Sequence, residues 1–211
     1  MTAAHTATAS DGAAEAEGGA DTGRAGIEVP WAAQPDYQCF GCSPHNSAGL
    51  RLLFEEHDGG LRTEIRLGRA HESYPGVVHG GLISTICDET MGNLVVLRRG
   101  TPAFTVAMRV RYLTPLAVGD RYHCVARLRP EKEGEEITHA TAEVVDAAGE
   151  VMATVTASYR CVPMDRAREH LRMTDHDAAD LVERLDRTRT EGLTGASSVT
   201  ASPGGDGAAS G

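Results

Sequence analysis

The stretch that most constrains the fold starts at His79-Gly80-Gly81 and continues to Leu97 or Arg98. Its apolar residues recur three and four positions apart, which gives a helix one broad apolar face. Gly100-Thr101-Pro102 follows the pattern and predicts where the helix ends. A helix of this kind has to be buried against another layer of structure. Its apolar positions are Leu82, Ile83, Ile86, Cys87, Leu94 and Val95.

Segments that alternate between apolar and polar residues flank this helix and predict strands. Two segments precede it, at 50–54 and 61–67, and Asp58-Gly59-Gly60 between them predicts a hairpin turn. Four segments follow it. We therefore predict an α+β fold, in which an antiparallel sheet of about five or six strands wraps around one central helix. The four later segments are 103–113, 121–129, 137–146 and 151–162.

The two ends of the chain differ in composition from its middle. Residues 1–30 are mainly alanine, glycine, threonine and acids, and residues 191–211 are mainly glycine, serine and alanine. Such segments bury too little apolar surface to offset the entropy of ordering, so we expect both tails to be disordered. The folded domain is predicted to span 31–164, and residues 165–190 predict a C-terminal amphipathic helix. The apolar positions of that helix are Leu171, Ala178, Leu181, Val182 and Leu185.

The formal net charge of −10 is concentrated at the two ends. Residues 1–30 carry five acids and one arginine, and residues 191–211 carry two acids and no base, so the middle is only mildly acidic. This balance does not favour nucleic-acid binding. The sequence contains no apolar run long enough to predict a membrane span and no recognisable targeting segment. Five scattered cysteines favour a reducing cytoplasm.

Two cysteines lie close together, at Cys39 and Cys42, with His45 after them. A structural zinc site needs four ligands, usually supplied as two such pairs. No second close pair of cysteines occurs in the sequence. A complete ligand set is therefore missing, so we expect no metal and interpret the pair as part of a structural segment.

The start of the central helix is also a candidate catalytic site. The first N–H groups of a helix lack partners within the helix and lie at the positive end of its dipole, so they can stabilise an oxyanion. Gly80 and Gly81 have no side chain that would keep a ligand away. Asp88 follows eight residues after Gly80 and is a candidate general base. A helix start followed by a solvated acid explains the same spacing without any catalysis.

The same residues carry a family resemblance. Gly76-Val77-Val78-His79-Gly80-Gly81, then Asp88, then a segment from Tyr112 to Asp120 resemble the hotdog-fold acyl-CoA thioesterases of the PaaI-like type. The resemblance covers about residues 39–162. It implies a hotdog fold and a substrate that is the thioester of coenzyme A or of an acyl carrier protein, and it implies no cofactor. It also implies a homodimer with two shared sites, often paired into a tetramer.

Roles for individual residues follow from the resemblance. It implies that Asp88 is the base or nucleophile and that the Gly80 N–H is the oxyanion donor. His79 belongs to the same motif, and Thr105 stands where relatives have a serine or threonine beside the acid. We further assign Gly81, Ser73 and Glu89 to substrate binding. Neighbouring helix positions point about 100° apart, so Asp88 and Glu89 cannot share one role, and we prefer Asp88 as the acid because of its place in the motif.

One departure from the family pattern keeps other functions open. Several relatives have an asparagine or glutamine six residues before the motif histidine, where this chain has Ser73. A hotdog domain that binds acyl groups, or that only dimerises, is therefore the alternative. A hotdog dehydratase is a third hypothesis. Such enzymes place an aspartate a few residues before their histidine, whereas the nearest acid before His79 is Glu72.

Overall fold

The protein is described by a computed structural model that covers residues 26–27, 29–34, 36–130, 136–168, 170–171 and 173–191. Most of the two predicted tails lies outside these described residues. The folded part begins earlier than Trp31, because the Ile27 N–H donates to the Phe54 carbonyl at 2.8 Å and Val29 is buried in the core. The six strands are β1 (Glu55–His57), β2 (Gly60–Ile65), β3 (Ala103–Tyr112), β4 (Tyr122–Leu128), β5 (Ile137–Asp146) and β6 (Val151–Cys161).

The six strands form one antiparallel sheet in the order β1-β2-β4-β5-β6-β3. The turn between β1 and β2 has positive φ at Asp58 (50°) and Gly59 (72°), as hairpins of two-residue turns require. Gly60 then starts β2 so close to β4 that a Cβ would lie 2.0 Å from the Ala126 carbonyl oxygen. The predicted α+β hotdog architecture is confirmed.

Helix α1 (Gly80–Arg99) packs its apolar face against this sheet. His79 caps its N-terminus, and Gly100 ends it in the left-handed conformation with φ 65°. Gly92 and Asn93 lower the intrinsic helix propensity, but Asn93 is buried and its side chain donates to the Glu89 carbonyl at 2.9 Å. Burial of one face therefore holds the helix together across this weak stretch.

The prediction of a first strand at 50–54 is wrong. Its N–H groups bond to a loop instead of a strand: Leu50 donates to the Phe40 carbonyl at 2.8 Å and Leu52 donates to the Gly41 carbonyl at 2.9 Å. Arg51 has φ 52°, which interrupts an extended conformation. The segment 39–54 therefore forms a compact layer that packs on α1, and β1 begins only at Glu55.

The C-terminal region contains two helices where one was predicted. The short helix α2 (Met164–Ala167) ends before Leu171, and α3 (Asp175–Glu191) starts after Thr174. Thr174 and Asp177 bond reciprocally through side chains and backbone N–H groups, an arrangement that starts a new helix. The amphipathic face of α3 packs against Val96 of α1, chiefly through Leu181 and Leu185.

None of the helices in the described part of the chain is long and apolar enough to cross a membrane.

Candidate active site

The carboxylate of Asp88 is held by two hydroxyl groups from the neighbouring strands. Thr105 Oγ1 donates to Asp88 Oδ1 at 2.8 Å, and the Tyr159 hydroxyl donates to the same oxygen at 3.0 Å. The two donors are adjacent because Thr105 of β3 pairs with Tyr159 of β6. Within the described residues no donor bonds to Asp88 Oδ2. One carboxylate oxygen is thus anchored, and the other remains available for water or substrate.

Tyr159 is a buried donor, with only 1% of its surface exposed. Burial, reinforced by the Asp88 carboxylate, raises the pKa of Tyr159 above its usual value. The hydroxyl therefore stays protonated at neutral pH and can only donate to the carboxylate. Thr105, by contrast, is exposed on β3. The Asp88 carboxylate therefore contacts the buried core through Tyr159 and the solvent-exposed surface of β3 through Thr105.

The start of α1 has a second set of specific contacts. The Gly81 N–H donates to His79 Nδ1 at 2.9 Å, so His79 acts as the helix cap. The Tyr112 hydroxyl donates to the Gly80 carbonyl at 2.8 Å and lies 2.6 Å from Ser84 Oγ. The Gly80 N–H makes no hydrogen bond in the part of the chain that the structure describes. Of the two motif glycines, Gly80 therefore offers the unsatisfied donor.

The free N–H of Gly80 and the carboxylate of Asp88 belong to the same straight helix. Eight residues of α-helix span about 12 Å. A thioester carbonyl whose oxygen rests on the Gly80 N–H thus lies too far from the Asp88 carboxylate of the same chain. On one chain, the structure does not bring together the two groups that the sequence assigned to one reaction.

Ser73 bonds within its own loop. Its N–H donates to the Val77 carbonyl at 2.9 Å, and its hydroxyl lies 3.5 Å from the same oxygen. The side chain is exposed, and no contact links it to Asp88 within the described residues. Its assignment to substrate binding stays a prediction.

Glu89 faces a different part of the molecule from Asp88. Its carboxylate lies 3.4 Å from Cys39 Sγ, and Asn93 Nδ2 donates to it at 2.9 Å. A Cβ on Gly41 would lie 2.6 Å from this carboxylate, so the loop at Gly41 is in close contact with it. Burial raises the pKa of Glu89 to about 7. These contacts place Glu89 against the loop at 39–42, and its assignment to substrate binding stays a prediction.

Strand β3, which carries Thr105, lies at one edge of the sheet, opposite the edge formed by β1, and is exposed on both faces. The other long strands alternate between buried and exposed residues, as a sheet with one covered face should. An edge strand with a free row of backbone groups and apolar side chains can pair with another chain. Its exposed apolar residues, with those that follow it, are Phe104, Val106, Met108, Tyr112 and Leu113.

Two residues of this site were missed by the sequence analysis. Tyr159 lies within the strand predicted at 151–162 and was not singled out, whereas its hydroxyl is the buried partner of Asp88. Tyr112 was quoted only as part of the family motif, whereas it holds the first carbonyl of α1. A tyrosine on the buried face of a strand needs a partner for its hydroxyl. This requirement is the one sequence signal that could have identified Tyr159.

Comparison with known proteins gives consistent matches over the helix and the first strands after it. The sequence model of the family described as thioesterase superfamily matches residues 75–153. Acyl-coenzyme A thioesterase 13 of Mus musculus is 28% identical over 88 residues, which cover 41% of this chain and 61% of that protein. The Homo sapiens protein of the same name is 28% identical over 108 residues, which cover 50% of this chain and 75% of that protein. The match to the mouse protein thus spans less than two thirds of its length.

A solved structure shares the fold. The crystal structure of a thioesterase superfamily protein superposes with a TM-score of 0.51 at 19% identity, covering 56% of this chain and 58% of that chain. At this identity the likeness concerns the arrangement of helix and sheet alone.

Proposed function

We propose that the chain is a member of the thioesterase superfamily, whose sequence model matches residues 75–153, and that it hydrolyses an acyl thioester to a free acid and a thiol. The thiol carrier is coenzyme A or an acyl carrier protein. The observation that supports this activity best is the Asp88 carboxylate, which has Oδ1 anchored by Thr105 and Tyr159 and Oδ2 free of protein donors among the described residues.

Asp88 acts as general base or as nucleophile. As a base, it takes a proton from water while the water oxygen attacks the thioester carbonyl, and the thiolate leaves when the tetrahedral intermediate collapses. As a nucleophile, its free oxygen attacks the carbonyl and expels the thiolate, and water then hydrolyses the mixed anhydride. Both routes need a deprotonated carboxylate with one free oxygen.

The Gly80 N–H stabilises the carbonyl oxygen as negative charge develops on it. The N–H has no partner among the described residues, and it lies at the positive end of the dipole of α1. His79 supports this role by satisfying the next N–H, that of Gly81, through its own side chain. In this proposal His79 and Gly81 position the helix start, and Gly80 contacts the reacting carbonyl.

The working site is shared between two copies of the chain. A separation of about 12 Å along α1 keeps Gly80 and Asp88 of one chain apart. Pairing of two exposed β3 strands about a two-fold axis covers their apolar side chains and sets two α1 helices side by side. The Gly80 of one chain then faces the Asp88 of the other. The assembly is at least a dimer.

Ser73 favours a second candidate function, an acyl-binding domain without turnover. Its hydroxyl lies 3.5 Å from the carbonyl of Val77 in its own loop, and a serine is a weaker substitute for an amide that orients water or the thioester. Detectable release of thiol decides between the two functions.

The test is a free-thiol assay on the full chain with acyl-CoA and acyl carrier protein esters of different lengths. We expect turnover of at least one ester, and a loss of about 10²–10⁴-fold in kcat for Asp88→Asn. Glu150→Gln, at an exposed acid in the turn before β6, is the matched control and should keep full activity. No turnover of any ester by the parent protein would leave the acyl-binding function. Parent-like activity in Asp88→Asn with none in Glu89→Gln would assign the chemistry to the neighbouring acid.

A further inference from the structure

Three side chains capable of binding a metal converge outside the site described above. Cys39 and Cys42 come from the loop at 39–42, and Glu89 comes from the middle of α1. One ligand atom from each of the three lies within 4.8 Å of the other two. Cys39 Sγ is 3.4 Å from both Oε1 and Oε2 of Glu89. We propose that Cys39, Cys42 and Glu89 bind one zinc ion that ties the N-terminal segment to α1.

The spacing of these atoms fits zinc. Bonds of about 2.3 Å to sulfur and about 2.0 Å to oxygen, at tetrahedral angles, separate a sulfur ligand from an oxygen ligand by about 3.5 Å. The sulfur–oxygen distances of 3.4 Å between Cys39 and Glu89 match this separation.

The loop is shaped to present a thiolate to this point. The Gly41 N–H donates to Cys39 Sγ at 3.3 Å, and an N–H donor stabilises a sulfur that carries negative charge. A side chain at position 41 would collide with the Glu89 carboxylate, at 2.6 Å from its Oε2. Position 41 therefore has to be glycine if Glu89 is to reach the two cysteines.

The carboxylate is fixed and lacks a positive partner. Asn93, one helical turn further on, donates to Glu89 Oε1 at 2.9 Å and so sets its orientation, as an outer partner of a metal ligand does. No basic side chain forms an ion pair with Glu89 in the described ranges of the chain. Cys42 beside it is 4% exposed. A half-buried carboxylate is costly without a compensating charge, and a divalent cation supplies one.

The ligand types select the metal. Two thiolates and a carboxylate suit zinc, whereas magnesium and calcium prefer oxygen ligands alone. Three protein ligands leave one position for water, since His45, whose N–H bonds to Ser43 Oγ, is not part of the cluster. Glu89 was the ligand that sequence spacing did not indicate, because it lies 50 residues after Cys39.

The test measures metal in the full chain purified without a histidine tag. We expect about one zinc per chain by elemental analysis, and a metal content well below one in Cys42→Ser and in Glu89→Gln. His45→Ala and Cys161→Ser are the controls and should keep the zinc. Replacement of zinc by cobalt in the wild-type chain should give the thiolate-to-cobalt absorption band, a readout that does not depend on whether a variant folds.

Two results would overturn the proposal. One is a wild-type chain that holds no zinc and takes up no cobalt with thiolate absorption. The other is a Glu89→Gln chain that keeps a full equivalent of zinc, since Glu89 would then not be a ligand. Loss of zinc in His45→Ala with retention in Glu89→Gln would assign the third ligand to the histidine and would equally contradict it.

Discussion

The buried hydroxyl of Tyr159 lies 3.0 Å from Oδ1 of Asp88 and donates a hydrogen bond to it. The tyrosine comes from β6 and the acid from α1, so this bond joins the sheet to the helix at the candidate active site. It orients the carboxylate from the side that water does not reach, because Tyr159 is 1% exposed.

Removal of this bond should lower turnover more than binding. A hydrogen bond to a charged group contributes about 1.5–3 kcal/mol, so we expect Tyr159→Phe to reduce kcat by about 10–100-fold with little change in KM. Tyr122→Phe is the matched control, because Tyr122 is also buried but its hydroxyl accepts from the Ala117 N–H. Equal losses in the two variants, measured by steady-state kinetics, would indicate a general effect of the lost hydroxyl on the core.

A proline at position 80 would remove the backbone N–H with little change in the conformation of the helix start. Proline is accepted at the first position of a helix, and His79 before it has φ −64° and ψ 125°, which suit a residue that precedes proline. We expect Gly80→Pro to lower kcat by about 10²–10³-fold, as loss of an oxyanion donor does. Gly80→Ala adds a similar Cβ but keeps the N–H, and it should remain active. If the alanine variant is as inactive as the proline variant, the added carbon near Tyr112, not the missing donor, is responsible.

Mixing of inactive chains tests whether the site is shared. In a heterodimer of Asp88→Asn and Gly80→Pro chains, one of the two sites contains an intact glycine and an intact acid. Random exchange of equal amounts makes half of the dimers mixed, so we expect about a quarter of wild-type activity to return. Native mass spectrometry checks that exchange has occurred. Exchange without any recovered activity would mean that each chain completes its own site.

The exposed edge strand should hold the copies together. Val106 is 55% exposed and lies at the irregularity of β3 between Thr105 and Ala107. A lysine there puts a positive charge from each copy on the strand that we propose pairs, so we expect Val106→Lys to sediment as a monomer with little turnover. Leu53→Lys, at a residue 82% exposed outside the sheet, should stay assembled and active. A dimeric, active Val106→Lys chain would locate the interface elsewhere.

The hairpin of β1 and β2 offers a stability test that does not involve the site. A Cβ at Gly60 would lie 2.0 Å from the Ala126 carbonyl oxygen, whereas a Cβ at Gly68 meets nothing within 4 Å. Overpacking of this kind costs about 1–3 kcal/mol, so Gly60→Ala should lower the free energy of unfolding in urea by that amount. Gly68→Ala should change it little or raise it slightly, because alanine restricts the unfolded chain, and a similar loss in both variants would contradict the clash as the cause.

Regular periodicity made the centre of the fold predictable. The spacing of apolar residues located α1, and Gly100 located its end, because both follow from local geometry. The segment 50–54 alternates like a strand, yet it bonds to the loop at 39–42. Alternation neither identifies the partner of a segment nor guarantees an extended conformation, which Arg51 interrupts here with φ 52°. The same alternating pattern predicted strands at 50–54 and at 61–67, but only the second segment forms one, as β2.

The candidate site was predictable where the motif is local. His79, Gly80 and Asp88 lie on one helix, so their order in the sequence is also their order in space. Tyr159 reaches Asp88 from 71 positions later in the chain, and Cys39 meets Glu89 across 50 positions. Such pairs depend on strand order and on the path of a loop, which no single segment specifies.

Asp88 faces Thr105 and Tyr159, whereas Glu89, the next residue, faces Cys39. The number of residues in α1 before these two acids therefore decides which of them faces the candidate active site. Each residue of a helix turns the chain by about 100° and advances it by 1.5 Å. A deletion of one residue between Gly80 and Asp88 would turn Asp88 away from Thr105 and Tyr159 and would shorten the distance from the helix start. An insertion or deletion here would therefore displace the acid even where a substitution at a position that is not buried, such as Thr85, would leave it in place.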